Sequence, residues 1–412
     1  MESEGEFDTS QETERIGGLD AAYSRRKTDE IESACRWMDI GKLGALAIST
    51  GGLLTDELRR KAWPILLGSG QRSNDISSDV EDIRAGIDEA AGGWKELPAH
   101  RDEHQVHLDV ERSFGHYHGS WSSTFVEKRK SELSALITAV LRHNPYLHYF
   151  QGYHDICQVL LLILPPSAVF DCTARLSVLR IRDFMLHNLG PTTSQLHLIP
   201  NMIRKADPEL WRRLADIEPF YALAGTLTLY AHDILSLNKI ARLFDVFLAT
   251  EPVFILYVYT QIIINKRDDI LEIDDMDMLR LFLSKIPASM DLDALVTDAM
   301  GLYNLHPPET LQRWRRISPS SVLKTIRHVE DCRQQTLEEG HAYFEQQAKE
   351  LRWDDFKKQV RRTIRWTMWK YRRPATLGTA ALVVGIFSLY IARNPSAYHH
   401  LTRFIRYHFV DV

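Results

Sequence analysis

Along most of the chain apolar residues recur at every third or fourth position, and the strict alternation of a half-buried strand is hard to find. In SELSALITAVLRHNP (131 to 145), Leu133, Leu136, Ile137, Val140 and Leu141 fall on one stripe; Ser131 can cap its start and Pro145 ends it. The same spacing predicts helices over 33 to 48, 54 to 67, 174 to 188, 208 to 216, 236 to 249 and 276 to 285. The fold class expected is all-α. YFQGYHDICQVLLLIL (149 to 164) adds a hydrophobic helix opened by Gln151 and Gly152, with Gln151, Asp155 and Gln158 on one polar stripe beside Tyr149, Ile156, Val159, Leu160 and Ile163.

Two runs are longer. PATLGTAALVVGIFSLYIA (374 to 392) carries no charge, and at about 1.5 Å per residue it can just cross a hydrocarbon core of about 30 Å. It is expected to be a transmembrane helix, with a buried core helix as the alternative. DVFLATEPVFILYVYTQIII (245 to 264) is interrupted by Asp245, Glu251 and Pro252 and reads as a buried soluble helix.

Polar stretches divide the rest. MESEGEFDTSQETERIGGLD is acidic and poor in large apolar residues, so residues 1 to 32 are expected to be a disordered tail. Residues 69 to 93 read as an acidic loop or loosely held helix within a domain running from 40 to 318, and GLYNLHPPE (301 to 309) as a turn. Residues 319 to 373 read as a charged helical arm ending in a basic juxtamembrane segment, and 393 to 412 as a short tail.

Charge orients this plan. KKQVRRTIRWTMWKYRR (357 to 373) has eight basic residues and no acid, whereas three arginines follow the apolar run. The positive-inside rule keeps the N-terminal part in the cytosol and places the tail in the lumen, while Trp366, Trp369 and Tyr371 suit the interfacial belt. With no signal peptide ahead of it, such a segment inserts as a single-pass tail anchor. The net charge of -5 gives no reason to expect nucleic acid as a partner. Four scattered cysteines, Cys35, Cys157, Cys172 and Cys332, suggest reduced structural thiols.

Several chemistries are absent: the chain has no P-loop, no HExxH, no GxSxG, and its 17 histidines form no metal spacing. His116, His118, His143, His148 and His154 read as a mixture of surface and core positions. No metal site and no cofactor of its own is expected. In VHLDVERSF, Asp109 and Arg112 stand at i and i+3, close enough on a helix for the carboxylate to orient the guanidinium.

Taken in order, three motifs resemble the TBC domain of Rab GTPase-activating proteins. They are R-x-x-x-W-x-x-L-L-G at Arg59 and Trp63, V-x-x-D-x-x-R at Asp109 and Arg112, and Y-x-Q-G at Tyr149, Gln151 and Gly152. A fourth stretch, IARLFDVFLATEP, looks like that family's R-x-W-D element, with Arg242, Phe244 and Asp245. The resemblance runs from about 50 to 310, with Val106, Tyr153 and Phe244 standing where the family favours isoleucine, methionine and tryptophan; apolar volume is kept.

The resemblance implies an all-α domain of two helical subdomains that accelerates GTP hydrolysis on a Rab. Arg112 would be an arginine finger and Gln151 a glutamine finger holding the attacking water. Asp109 and Tyr149 would position them, and Gly152 would let a partner approach closely. Arg59, Trp63, Arg242 and Asp245 would be structural; GTP and magnesium would come with the Rab. The short span suits the thinner bilayer of the endoplasmic reticulum. The likeness to a membrane-anchored family member implies a Rab of early secretory traffic there or at the Golgi. The alternatives are a catalytically silent Rab-binding scaffold, or a membrane-shaping protein that works through its basic stretch and tail. Oligomeric state is not legible.

Overall fold

A computed structural model describes residues 20–69, 82–115 and 121–394, apart from the side chains of 368, 370–377 and 380. Every regular element among the described residues is helical, as expected. The chain divides into two compact units, Met1–Ala348 and Lys349–Val412.

The first unit is organised around a buried ion cluster. The helix Asp56–Leu67 is capped by the Thr55 hydroxyl and ends at left-handed Gly68. It carries Arg59 and Trp63, both buried, on its inward face. Asp245, on the helix Leu237–Ala249, is fully buried. It accepts from Arg59 Nε at 3.0 Å, Arg59 NH2 at 2.9 Å, Trp63 Nε1 at 2.8 Å and the Leu53 amide at 3.0 Å. The third guanidinium nitrogen of Arg59 reaches Asp56 at 2.7 Å. Burial alone would lower the pKa of Arg59, but Asp245 and Asp56 reverse that and hold it above its ordinary value. Arg242, one turn before Asp245, binds Asp293 and the carbonyls of Ala47, Ile48 and Ser49. Gly52 has φ +56°, and a Cβ there would lie 2.5 Å from an Asp245 oxygen. The four structural motif residues therefore join strands of sequence nearly two hundred residues apart. The same contacts tie the expected two subdomains into one compact unit, Met1–Ala348.

Other boundaries move as well. Residues 1–19, from the expected tail, lie outside the described residues, but Ala21–Arg36 is a helix. It is held by burial of Ile31 and Ala34 and by Lys27 Nζ on the Ser49 hydroxyl at 2.8 Å. Burial lowers that lysine's pKa to about 8. The helix expected over 33 to 48 breaks at Met38, whose φ is +50°, and resumes as Ile40–Ile48. Of the acidic loop, 70–81 lies outside the described residues, whereas Ile83–Ala90 is a packed helix whose Gly86 abuts Pro166. The turn expected at 301 to 309 begins only after the helix Leu292–Leu305.

The segment 174 to 188 is not one helix. After Pro166–Arg175 the chain makes a π turn, Leu176–Arg180, and a 3-10 turn, Arg182–Met185. All ten residues from 176 to 185 are buried, so a single apolar stripe cannot describe them. Arg180 donates to the Phe247 carbonyl at 2.5 Å and Arg182 to the Ser320 carbonyl at 2.6 Å, in different directions.

The domain does not stop at 318. Asp183, fully buried with its pKa raised by burial, accepts from the Ser321 hydroxyl and the Val322 amide. Arg175 donates to the Cys332 and Gln335 carbonyls. A Cβ on Gly340 would lie 2.5 Å from a Val178 methyl. The first part of the expected arm, 319 to 348, is thus part of the first unit. The run at 245 to 264 is buried, as expected, but split into Leu237–Ala249 and Phe254–Asn265 at Pro252.

The second unit, as far as 394, is the continuation of the helix Leu337–Arg393. Among the described residues no helix is long and apolar enough to cross a membrane. The expected span falls partly outside them, at the side chains of 374–377 and 380, and so does 395–412 of the expected tail.

Candidate functional site

The helix Glu103–Val110 is fastened at its start. Glu103 binds Arg142 of the neighbouring helix Ser123–His143 at 2.7 Å. Asp102, just ahead of the helix, spends Oδ2 on the Tyr149 amide at 3.0 Å. Val106, Asp109 and Val110 then face inward. A wholly buried carboxylate must be bonded at both oxygens, and Asp109 is. Its Oδ1 accepts from Gln105 Nε2 at 3.0 Å and from Arg112 NH2 at 2.5 Å; its Oδ2 accepts from the Tyr149 hydroxyl at 2.9 Å. Arg112 sits past the helix end with its side chain 68% exposed. One nitrogen of the guanidinium is tethered while the group as a whole faces outward.

Gln151 is exposed and its amide has no hydrogen-bond partner among the described residues. Two residues earlier, Tyr149 fixes the loop to Asp109, so the arginine and the glutamine are organised by one buried carboxylate. Burial, then Asp109, pushes the Tyr149 phenol far above its ordinary pKa, so it remains a hydrogen-bond donor. Gln158 does not share the polar stripe: it is buried, and its side-chain oxygen accepts from the amide of Phe114, a residue with φ +65°.

Gly152 caps the helix Tyr153–Ile163 with φ +103°, and a Cβ would lie 2.6 Å from Thr228 Cγ2. Close approach of the chain's own Thr228 by itself leaves no room for a Cβ at this glycine, for which close approach by a partner was the expected reason. Behind Thr228, Leu229 and Tyr230 both adopt left-handed backbone, at φ +50° and +67°, and both are buried, with the Tyr230 hydroxyl on the Ile255 carbonyl at 2.8 Å.

Three titratable residues complete the site. His154 Nδ1 is 3.0 Å from the Tyr149 hydroxyl and Nε2 is 3.3 Å from Asp155 Oδ1. Asp155 Oδ2 is 3.1 Å from His232 Nδ1. Burial lowers the pKa of His154, whereas the bond to Asp155 raises that of His232. Among the described residues no group of His, Cys, Asp or Glu could hold a metal ion.

Sequence spacing brings out Asp109, Arg112, Tyr149 and Gln151, which the fold gathers. It misses Asp102, although seven residues before Asp109 is the same helical face. It has no signal for His232, which arrives from a distant segment.

What the arrangement offers is a planar cation and an amide presented outward over one buried, fully bonded carboxylate. The Rab-GTPase-TBC domain family matches residues 56–271. The chain is 33% identical over 303 residues to the GTPase-activating protein gyp10 of Schizosaccharomyces pombe, covering 72% of this chain and 77% of that one. It is 31% identical over 297 residues to TBC1 domain family member 20 of Homo sapiens, covering 71% and 70%. The crystal structure of the Ypt/Rab-GAP domain of Gyp1p superposes with a TM-score of 0.53 at 16% identity, over 65% of this chain and 93% of that one.

Proposed function

The chain belongs to the Rab-GTPase-TBC domain family, and from that premise we propose that it accelerates GTP hydrolysis on a Rab GTPase with Arg112 and Gln151 as paired fingers. The observation that carries this is Asp109, a buried carboxylate that holds Arg112 directly and the loop of Gln151 through Tyr149. Phosphoryl transfer spreads charge over the phosphate oxygens and needs a water held in line. The guanidinium of Arg112 supplies a permanent planar charge with paired donors for the oxygens. The amide of Gln151 donates and accepts at once, which holding a water requires. The nucleotide and its magnesium belong to the Rab.

Single-turnover GTP hydrolysis across a panel of Rabs, with the full chain in detergent, tests this. Stimulation concentrated on one or a few Rabs of traffic between endoplasmic reticulum and Golgi is the expected result. Stimulation of none, with binding retained, would leave a scaffold.

The reading includes an anchor at 374 to 392, with the TBC domain on the cytosolic side of the endoplasmic reticulum or Golgi membrane. It is supported by the uncharged sequence of that run and by the exposure of Leu382, Val383, Val384, Ile386, Phe387 and Leu389, each between 50% and 65%. A helix that is apolar all round is stable in a core or in lipid, and these side chains are not in a core. Deleting 374 to 412 should move the protein from the alkali-resistant membrane pellet to the supernatant; a protein still in the pellet would refute the anchor.

A further inference from the structure

We propose that His154 is a positioning residue for the finger pair: its Nδ1–H donates to the Tyr149 hydroxyl and so commits that hydroxyl's single hydrogen to Asp109. The proposal rests on the reading of Arg112 and Gln151 as fingers.

The argument is a count of hydrogens. The Tyr149 oxygen lies 2.9 Å from Asp109 Oδ2 and 3.0 Å from His154 Nδ1. It has one hydrogen to give. If Nδ1 is bare, it competes with Asp109 for that hydrogen. If Nδ1 carries a proton, the tyrosine oxygen accepts from it and donates to Asp109, so Tyr149 and Asp109 are both satisfied. The histidine side chain is 13% exposed, so water does little to relieve a mismatch.

The charged and titratable groups facing the ring decide which nitrogen is protonated. They are Asp155 from its own helix, Asp109 and Arg112 from the opposite segment, Tyr149 from the loop, and His232 beyond Asp155. Burial favours the neutral ring against the pull of Asp155 and Asp109, and a neutral ring has one N–H to place. Asp155 Oδ1 would accept it, but at 3.3 Å, and the other oxygen of Asp155 already has His232 at 3.1 Å. With His232 on its other oxygen, Asp155 makes the longer contact to the ring, 3.3 Å against 3.0 Å from Nδ1 to the tyrosine oxygen, and on the proposed reading the proton sits on Nδ1. The chain of contacts then runs from His232 through Asp155, His154 and Tyr149 to Asp109 and Arg112.

An asparagine amide nitrogen reaches roughly the place of Nδ1 and a glutamine amide that of Nε2, so the two variants separate the two nitrogens. With the full chain in detergent and the GTP-loaded Rab it stimulates most, His154→Leu should lower the saturating single-turnover rate by about 10- to 100-fold, as misplacement of catalytic groups does. The half-saturating concentration should hold, because only transition-state contacts are lost. His154→Asn should restore most of the rate and His154→Gln should not. A wild-type rate in His154→Leu, or equal rescue by Gln and Asn, would overturn the proposal.

Arg112→Ala run in parallel separates the two claims. Loss there with a wild-type His154→Leu sinks this proposal alone; wild-type stimulation by Arg112→Ala sinks the finger reading and this proposal with it. Independently of any Rab, the ring 15N shifts of His154, assigned by their absence in His154→Asn, should report a protonated Nδ1. A bare Nδ1 would overturn the assignment.

Discussion

Arg112→Ala should lower the Rab-stimulated hydrolysis rate by about 10³- to 10⁵-fold, on the order of 4 to 7 kcal/mol of transition-state stabilisation. The fold should hardly notice. The side chain is 68% exposed, and Asp109 keeps Gln105 and Tyr149 as donors when the guanidinium leaves. The melting temperature is therefore expected to stay near that of wild type, which separates lost chemistry from lost structure. Arg112→Lys should fail nearly as badly, because one compact ammonium cannot stay on Asp109 and also present paired donors to phosphate oxygens. Gln151→Ala belongs to the same experiment. Its amide has no protein partner among the described residues, so its removal should cost rate alone. Single-turnover kinetics beside a thermal melt decides the matter: wild-type stimulation by Arg112→Ala would mean that the finger lies elsewhere.

The second large effect is on stability. Asp245→Ala should destabilise the protein by about 3 to 5 kcal/mol, the usual result of removing one partner of a buried ion pair. Truncation leaves Arg59 charged and buried with Asp56 as its remaining carboxylate, and strips the acceptor from Trp63 Nε1 and the Leu53 amide. Each orphaned donor adds its own desolvation cost. Asp245→Asn keeps the shape and one carbonyl oxygen, so it should fall between. Urea titration of the full chain in detergent would show a lower midpoint at an unchanged slope. A midpoint equal to wild type would mean that Asp245 does not join the two ends of the domain.

Much of this was legible beforehand, for identifiable reasons. The helices Asp56–Leu67, Leu237–Ala249 and Met276–Ser284 match their expected spans closely, and each starts at a side-chain cap that stands in the sequence, Thr55, Ser236 and Asp275. The stretch from 176 to 185 departs from its expected helix because apolar spacing does not distinguish an α-helix from the π and 3-10 turns the chain makes there. The N-terminal boundary was misread because composition alone hides what Lys27 does: a charged residue that pairs with Ser49 and Thr50 reads as tail until those partners are placed. Likewise 319 to 348 has few strong apolar positions, yet Asp183 and Arg175 hold it by polar contacts to its backbone and hydroxyls. At the site, Asp109 and Arg112 lie one helical turn apart and could be found locally. The His154, Asp155 and His232 series needs residues 77 positions apart in sequence to meet.

Leu229 and Tyr230 add something about timing. Bulky residues rarely hold left-handed backbone, and each such residue costs on the order of 1 to 3 kcal/mol. Burial of both side chains and the bond from the Tyr230 hydroxyl to the Ile255 carbonyl offset that cost when the chain folds, before any partner arrives. Thr228, which precedes the pair, sits against Gly152 at the foot of the loop that presents Gln151. The ground under the glutamine is thus packed into the folded chain itself. On the proposed reading a Rab would meet a surface whose floor is already formed, and its capture would be governed by diffusion and orientation, not by a loop finding its shape.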